Sequence, residues 1–174
     1  MAVLLNQTSN LRLRLELSRR LSDGVERPAS LEFTAALERY KHLAAGERGE
    51  HRFVPMLALS GKPLLDMDLM TFLEQLEQLL AGQGEAAAFE ASLEPSLGLR
   101  LARAGPEAYL VEVGVDLIAL LEPVGGLRSD AGADLALFRF PATARGVAAF
   151  CNSLVEELGA FPTDPSKVSR GPRE

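Results

Sequence analysis

Apolar and charged residues alternate strictly in several stretches of the chain. Residues 11–17 read Leu-Arg-Leu-Arg-Leu-Glu-Leu, the period of two that is typical of a strand with one buried and one solvated face. In residues 87–93, 97–101 and 109–115 every odd position is again apolar, and the links between them are short. We therefore expect these three segments to form an antiparallel meander. Residues 135–140 supply a last strand.

The segment 31–43 fits two structures. Leu31, Phe33 and Ala35 follow a strand period, whereas Phe33, Ala36 and Tyr40 follow a helical one. We favour a strand, and a helix stays open. A glycine-containing loop follows at residues 46–50, and then an apolar strand over residues 53–59, whose proline suggests a sheet edge or a bulge. The two strands would form a hairpin.

Helical spacing appears twice. The first helix is expected over residues 66–81, with Asp66 or Asp68 capping its start and Gly82 ending it. The second is expected over residues 142–158, with Pro141 at its start and Gly159 at its end. The apolar stripes are Leu69, Phe72, Leu73, Leu76 and Leu80 in the first, and Val147, Phe150, Cys151, Leu154, Val155 and Leu158 in the second.

Strands in runs with two inserted helices predict an α+β fold, in which a mostly antiparallel sheet carries both helices on one face. The length of 174 residues is enough for one domain with its own core, which we place at residues 1–161. The polar, proline-containing residues 162–174 are expected to be a disordered tail. Residues 123–132 are expected to form an exposed loop. No internal repeat of about 20 to 50 residues stands out.

Charge is concentrated in one segment. The chain has a net charge of −6, and residues 62–94 contain one lysine and seven acidic residues, an excess that equals the total. An acidic chain is a poor general nucleic-acid binder. The segment would serve either as a solvated surface or as a docking face for a basic protein. The candidate partner-binding residues are Asp68, Glu74, Glu77, Glu85 and Glu90. By contrast, Arg12, Arg14, Arg19 and Arg20 make the first strand locally basic.

Candidate reactive groups are few. His42 and His51 flank the loop at residues 46–50 and are expected to be surface residues, because a zinc site usually needs three or four protein ligands. Cys151 lies in an apolar stripe and is expected to be a buried, unreactive thiol. Asp66 and Asp68 are two positions apart and would not share a helix face. We expect no catalytic residue, cofactor or metal site.

The glycine turns at residues 82–84 and 125–126 lack the strand and helix context that cradles phosphate groups. The longest apolar runs are too short to cross a bilayer, and the first residues lack the features of an export signal. A single cysteine cannot form an internal disulfide. The expected location is the cytoplasm.

Several elements together carry a family resemblance. An apolar strand over residues 53–59 precedes a helix containing Leu-Met-Thr-Phe-Leu-Glu-Gln-Leu from Leu69, followed by a meander with Leu-Glu-Pro-Ser-Leu from Leu93. Phe138-Arg139-Phe140 and a terminal helix ending in Leu-Gly-Ala-Phe-Pro complete the order. Over about residues 53–162 this order resembles bacterial WapI-type immunity proteins. The resemblance implies a non-enzymatic protein that neutralises a toxin by binding it, or a relative that kept the fold for another contact.

Three hypotheses follow. The first is an immunity or antitoxin protein that binds a basic toxin domain through the acidic segment. The second is a structural or adaptor subunit that assembles through a sheet edge or the basic strand, with homo-oligomerisation left open. The third is an enzyme with an acid site around Asp66, Asp68 and His51. We favour the first hypothesis. We expect the partner to be a protein, and we expect the chain to bind neither nucleic acid nor a membrane.

Overall fold

In the computed structural model, residues 1–22, 28–41, 52–93, 96–116 and 135–162 are described. Their strands form two four-stranded antiparallel sheets, β1-β2-β3-β4 (the first sheet) and β5-β6-β7-β8 (the second sheet). The elements are β1 (Ala2–Leu5), β2 (Leu11–Ser22), β3 (Ser30–Lys41), β4 (Arg52–Leu65), α1 (Asp66–Leu80), β5 (Ala86–Glu90), β6 (Leu97–Arg103), β7 (Ala108–Asp116), β8 (Leu135–Thr143) and α2 (Ala144–Gly159). The α+β class with antiparallel sheet is confirmed.

The strands divide between two sheets because α1 follows β4 directly and packs along β5, so that β4 and β5 are not neighbours. In the described part of the chain, each sheet is a meander followed by one helix, and each helix packs mainly along the first strand of the other sheet. The buried positions of the helices correspond in order: Leu69 with Val147, Phe72 with Phe150 and Leu76 with Leu154. The interior faces of both sheets and both helices contribute to one hydrophobic cluster.

The structure decides the ambiguous segment in favour of a strand. β3 pairs with β4 as the expected hairpin, with Tyr40 opposite Phe53, and the two rings meet edge to face at 5.5 Å. Leu31 and Phe33 are buried on the interior face of β3. The meander and the strand over residues 11–17 are confirmed as well. β1 was not anticipated; its short Ala-Val-Leu-Leu pairs with β2, and Ala2 and Leu4 are buried.

The first helix begins at Asp66 as predicted, but the predicted start of the second helix and the predicted capping residue of the first are wrong. Pro141 lies inside β8 opposite Leu110, where a proline is tolerated on an edge strand. α2 begins at Ala144, and the hydroxyl of Thr143 accepts a hydrogen bond from the Gly146 backbone at 3.1 Å. The N-cap of α1 is Leu65, without a side-chain hydrogen bond, so neither Asp66 nor Asp68 caps this helix.

The predicted ends of both helices are close to those observed. α1 is followed by Gly82 at a φ of +79°, a left-handed conformation that glycine adopts without strain. α2 includes Gly159 and has Ala160 as its C-cap. The expected loop at residues 123–132 and the tail from residue 163 lie outside the described residues. Neither described helix is long and apolar enough to cross a membrane.

Candidate protein-binding surface

α1 separates its apolar and polar residues onto two faces. Leu69, Phe72, Leu73, Leu76 and Leu79 are buried, and the Phe72 ring lies 5.6 Å from the ring of Phe89 in β5. The opposite face is exposed along its whole length; we call it the α1 outer face, and it consists of Met67, Met70, Thr71, Glu74, Glu77 and Gln78. α1 contains four acidic side chains and no basic one.

Side-chain hydrogen bonds fix α1 against the second sheet. The Gln75 carboxamide oxygen accepts from the Ala88 backbone N–H at 2.8 Å. At the carboxyl end, the Arg103 guanidinium donates to the Leu79 carbonyl at 2.9 Å, which supplies a hydrogen bond and a positive charge where the helix dipole is negative. The α1 outer face therefore has a defined orientation on a rigid support.

Asp68 holds the chain after β5 against the start of α1. Its carboxylate accepts from the Ser92 backbone N–H at 3.0 Å and from the Ser92 hydroxyl at 2.8 Å. The next residue, Leu93, is 50% exposed. Asp68 is thus half-buried and engaged within the molecule, and its contact places an exposed leucine near the first turn of α1.

The structure distributes the other candidate residues over different places. Glu74 and Glu77 share the α1 outer face. Glu85 is exposed in the turn before β5. Glu90 is exposed on β5, in register with Gly98 and on the opposite side from buried Phe89. Sequence proximity therefore grouped five acids, of which the fold brings two together on one helix face.

Asp66 and Asp68 do not form a joint acid site, because they bind different partners. Asp66 is buried and accepts from the Arg20 guanidinium at 2.8 Å. Arg20 also donates through Nε to the carbonyl of Phe161, just beyond α2, at 3.1 Å. Its guanidinium therefore joins β2, the start of α1 and the end of α2. His42 and His51 lie outside the described residues, and within the described part no three His, Cys, Asp or Glu residues are grouped to hold a metal ion.

Cys151 occupies the predicted buried position in the stripe of α2. Burial raises the pKa of its thiol, and the nearby Glu77 carboxylate raises that pKa further. The thiolate is the nucleophilic form of cysteine. The environment of Cys151 therefore favours the less reactive, protonated thiol.

A row of charged residues on the outer face of the second sheet was not predicted from the sequence. Arg100, Glu112 and Arg139 are opposite one another on β6, β7 and β8. One oxygen of Glu112 accepts from Arg100 at 2.8 Å and the other from Arg139 at 2.7 Å. These hydrogen bonds lower the pKa of Glu112. Alternation places each residue on the outer face, but only the register of the strands brings the three together.

The arginines of the basic strand are paired with acidic side chains, three of them within the first sheet. Arg12 donates to Glu38 at 2.5 Å, and its guanidinium lies 4.0 Å from the centre of the Phe53 ring. Arg19 donates to Glu32 at 2.9 Å, and Arg14 is within 4.0 Å of both Glu16 and Glu38. With Arg20 bound to Asp66, each arginine of β2 has an acidic partner.

Comparison of the chain with protein-family models, with curated proteins and with solved structures found no significant match in any of the three. The resemblance to WapI-type immunity proteins stays a prediction. The candidate surface accordingly rests on the residues of this chain alone: an anchored helix whose exposed side combines acidic and methionine side chains.

Proposed function

We propose that this chain is a non-enzymatic protein-binding protein that docks a basic partner through the α1 outer face. The observation that carries the proposal is the chemistry of that face. Glu74 and Glu77 stand beside Met70 and Met67, and both methionines are more than half exposed. No lysine or arginine within α1 offsets the acidic charge.

Each component has a physical role in binding. Carboxylates attract a basic surface and accelerate encounter with it. Methionine side chains are flexible and polarizable, so they adapt to an irregular apolar surface. Because Gln75 and Arg103 already fix the helix to the second sheet, docking would require little ordering of the backbone, which lowers the entropic cost of association.

Neutralisation of a basic toxin domain is the specific form of this function that the family resemblance suggests. An inhibitor needs a complementary surface and no reactive groups. The alternative is a structural or adaptor subunit of a protein assembly. Self-assembly would use the β8 edge of the second sheet. Partner binding and self-assembly are compatible because they would use different surfaces.

The proposal is tested with a charge reversal and a control of equal charge. The test variant is Glu74→Lys/Glu77→Lys. The control is Glu107→Lys/Glu156→Lys, which changes the net charge equally at exposed positions in the turn before β7 and on α2. Proteins captured from the source organism on the immobilised wild type are identified and purified. Their dissociation constants for all three forms are then measured by calorimetry.

We expect a basic partner whose affinity falls at least about ten-fold for the test variant, equivalent to about 1.4 kcal/mol, and much less for the control. Binding of the partner should also weaken with added salt, because exposed charges are screened. Equal losses in both variants would reduce the effect to net charge and contradict a local site. A partner that binds the test variant as tightly as it binds the wild type would also contradict a local site.

A further inference from the structure

The two sheets have four edge strands, and three of them are protected. α2 packs along β1, and its Glu157 carboxylate accepts from the Leu17 backbone N–H at 2.8 Å. α1 packs along β5, where Gln75 accepts from Ala88. β4 carries Pro55, Pro63, irregular register with β3 and a positive φ at Gly61. Helices, prolines and bulges are the usual means by which proteins prevent edge-to-edge pairing.

β8 is different over residues 135–139. The carbonyl of Pro141 accepts from the Gln7 backbone N–H, and Gln7 lies between β1 and β2, outside the second sheet. The backbone groups of residue 141 therefore point away from β7. Because this direction repeats every two residues along a strand, the N–H and C=O groups of Leu137 and Arg139 also point away from β7. Among the described residues, no backbone hydrogen bond from outside the sheet reaches Leu137 or Arg139. Leu137 is also 50% exposed.

We propose that β8 pairs antiparallel with β8 of a second copy of this chain, so that two second sheets become one eight-stranded sheet. The two-fold axis would pass beside Leu137. There each Leu137 would exchange both N–H···O bonds with its copy, and Arg139 would lie opposite residue 135 of the copy. A two-fold interface of this kind uses the same patch on both molecules.

The residues of β8 are compatible with this self-pairing. Leu137 would meet Leu137, which removes two exposed apolar side chains from water. Arg139 is already paired with Glu112 and would not face a like charge. Residue 135 is in register with Asp116 of β7. Because Arg139 of the copy would lie opposite residue 135, it would be two strands away from this acidic residue. A strand from an unrelated protein would have no such built-in match.

The arrangement would leave the α1 outer face accessible. α1 packs along β5, and β5 and β8 are the two opposite edges of the second sheet. The eight-stranded sheet would therefore present one α1 outer face near each end. A dimer could thus bind two partners at once, although the self-association stands independently of the proposed partner.

The experiment compares two edges of the same molecule by analytical ultracentrifugation over a range of protein concentrations. Leu137→Lys places a charge at the centre of the proposed interface. Leu137→Pro removes a backbone N–H that points away from β7. The native Pro141, four residues further along β8, already has this orientation, so a proline at position 137 should be tolerated within the sheet. Met56→Lys is the matched control, because Met56 is 49% exposed on the β4 edge. Circular dichroism checks that each variant is folded.

We expect a reversible wild-type dimer, a dissociation constant at least about 100-fold weaker for both Leu137 variants, equivalent to about 2.7 kcal/mol, and no change for Met56→Lys. As a geometric test, Leu137→Cys should form an interchain disulfide under mild oxidation, since hydrogen-bonded antiparallel pairs have Cα atoms about 5.5 Å apart. Buried Cys151 is a poor competitor in this reaction. A wild-type monomer at all concentrations, or a dimer that only Met56→Lys disrupts, overturns the proposal.

Discussion

The two sheets of this protein share one plan but have different outer faces. In the first sheet, arginines of β2 and glutamates of β3 form two groups of ion pairs, Arg12 and Arg14 with Glu38 and Arg19 with Glu32. These ion pairs cover the face so well that Ala36 and Glu38 are buried although they lie opposite outer-face arginines. In the second sheet, Gly98 and Gly114 are in register beside exposed Leu137, and one Arg-Glu-Arg row provides the ion pairs identified on that face.

The difference bears on which half of the molecule would carry the proposed associations. Burying these ion pairs against a partner requires costly desolvation of many charges. The second sheet has a face of small residues beside β8, whose outer backbone groups meet no other strand within the described part of the chain and could be satisfied by a partner strand. The first sheet is therefore the less favourable place for docking. Both proposed binding surfaces, the α1 outer face and the β8 edge, lie in the half that begins at α1.

The largest expected effect tests whether the two halves are energetically equivalent. Phe72→Ala and Phe150→Ala each delete a buried ring at corresponding positions of α1 and α2. Each variant should lose about 3–5 kcal/mol of unfolding free energy. Because each helix packs on the opposite sheet, unfolding should stay a single transition. Urea denaturation, monitored by circular dichroism and by tyrosine fluorescence, measures the unfolding free energy and the number of transitions. Transitions that separate between the two probes would show that the halves unfold independently.

A smaller effect on stability should distinguish a buried ion pair from an exposed one, each formed by an arginine of β2. The side chain of Arg20 is 17% exposed and that of Arg19 is 69% exposed. Arg20→Met leaves the buried Asp66 carboxylate without its charged donor and should cost about 1.5–3 kcal/mol. Arg19→Met should cost about 0–1 kcal/mol. Equal losses in urea denaturation would contradict the role of Arg20 as the link between both helices and β2.

Much of the fold could be predicted from the sequence because each local pattern matched its final environment. Alternation identified the meander, and the leucine stripe identified α1. Pro141 misled the prediction, since a proline suits both the first turn of a helix and a strand edge. The division into two sheets was not predictable, because strand periodicity does not specify which strands pair across an intervening helix. The repeated order of a meander followed by a helix was hidden for a related reason: the helices share buried apolar positions and little else.

The candidate surface was predictable only in part. Helical spacing correctly placed Glu74 and Glu77 on an exposed face. For Asp68, proximity in sequence suggested the same role, but the carboxylate instead binds Ser92, a contact between residues far apart in the chain. The Arg100–Glu112–Arg139 row and the open β8 edge depend on strand register and sheet order. Those features follow from tertiary packing, which composition and periodicity do not encode.

The smallest expected effect compares one carboxylate from each sheet. The Ser18 hydroxyl and then Arg19 lower the pKa of Glu32, and Arg100 and then Arg139 lower the pKa of Glu112. A lowered folded-state pKa means that the unfolded state binds more protons as the pH falls below about 4.3–4.5. The stabilisation is therefore complete above that range and is lost as the pH falls through the folded-state pKa.

Glu32→Gln and Glu112→Gln should each be slightly less stable than the wild type at neutral pH, and each difference should close on acidification. Unfolding free energies at one fixed protein concentration, from neutral pH to about pH 3, measure this without interference from dimerisation. A difference that persists in acid would mean that the lost contact does not depend on the carboxylate charge. If only Glu112→Gln behaves as expected, the one hydroxyl and one arginine that contact Glu32 stabilise the folded state less than the two arginines that contact Glu112.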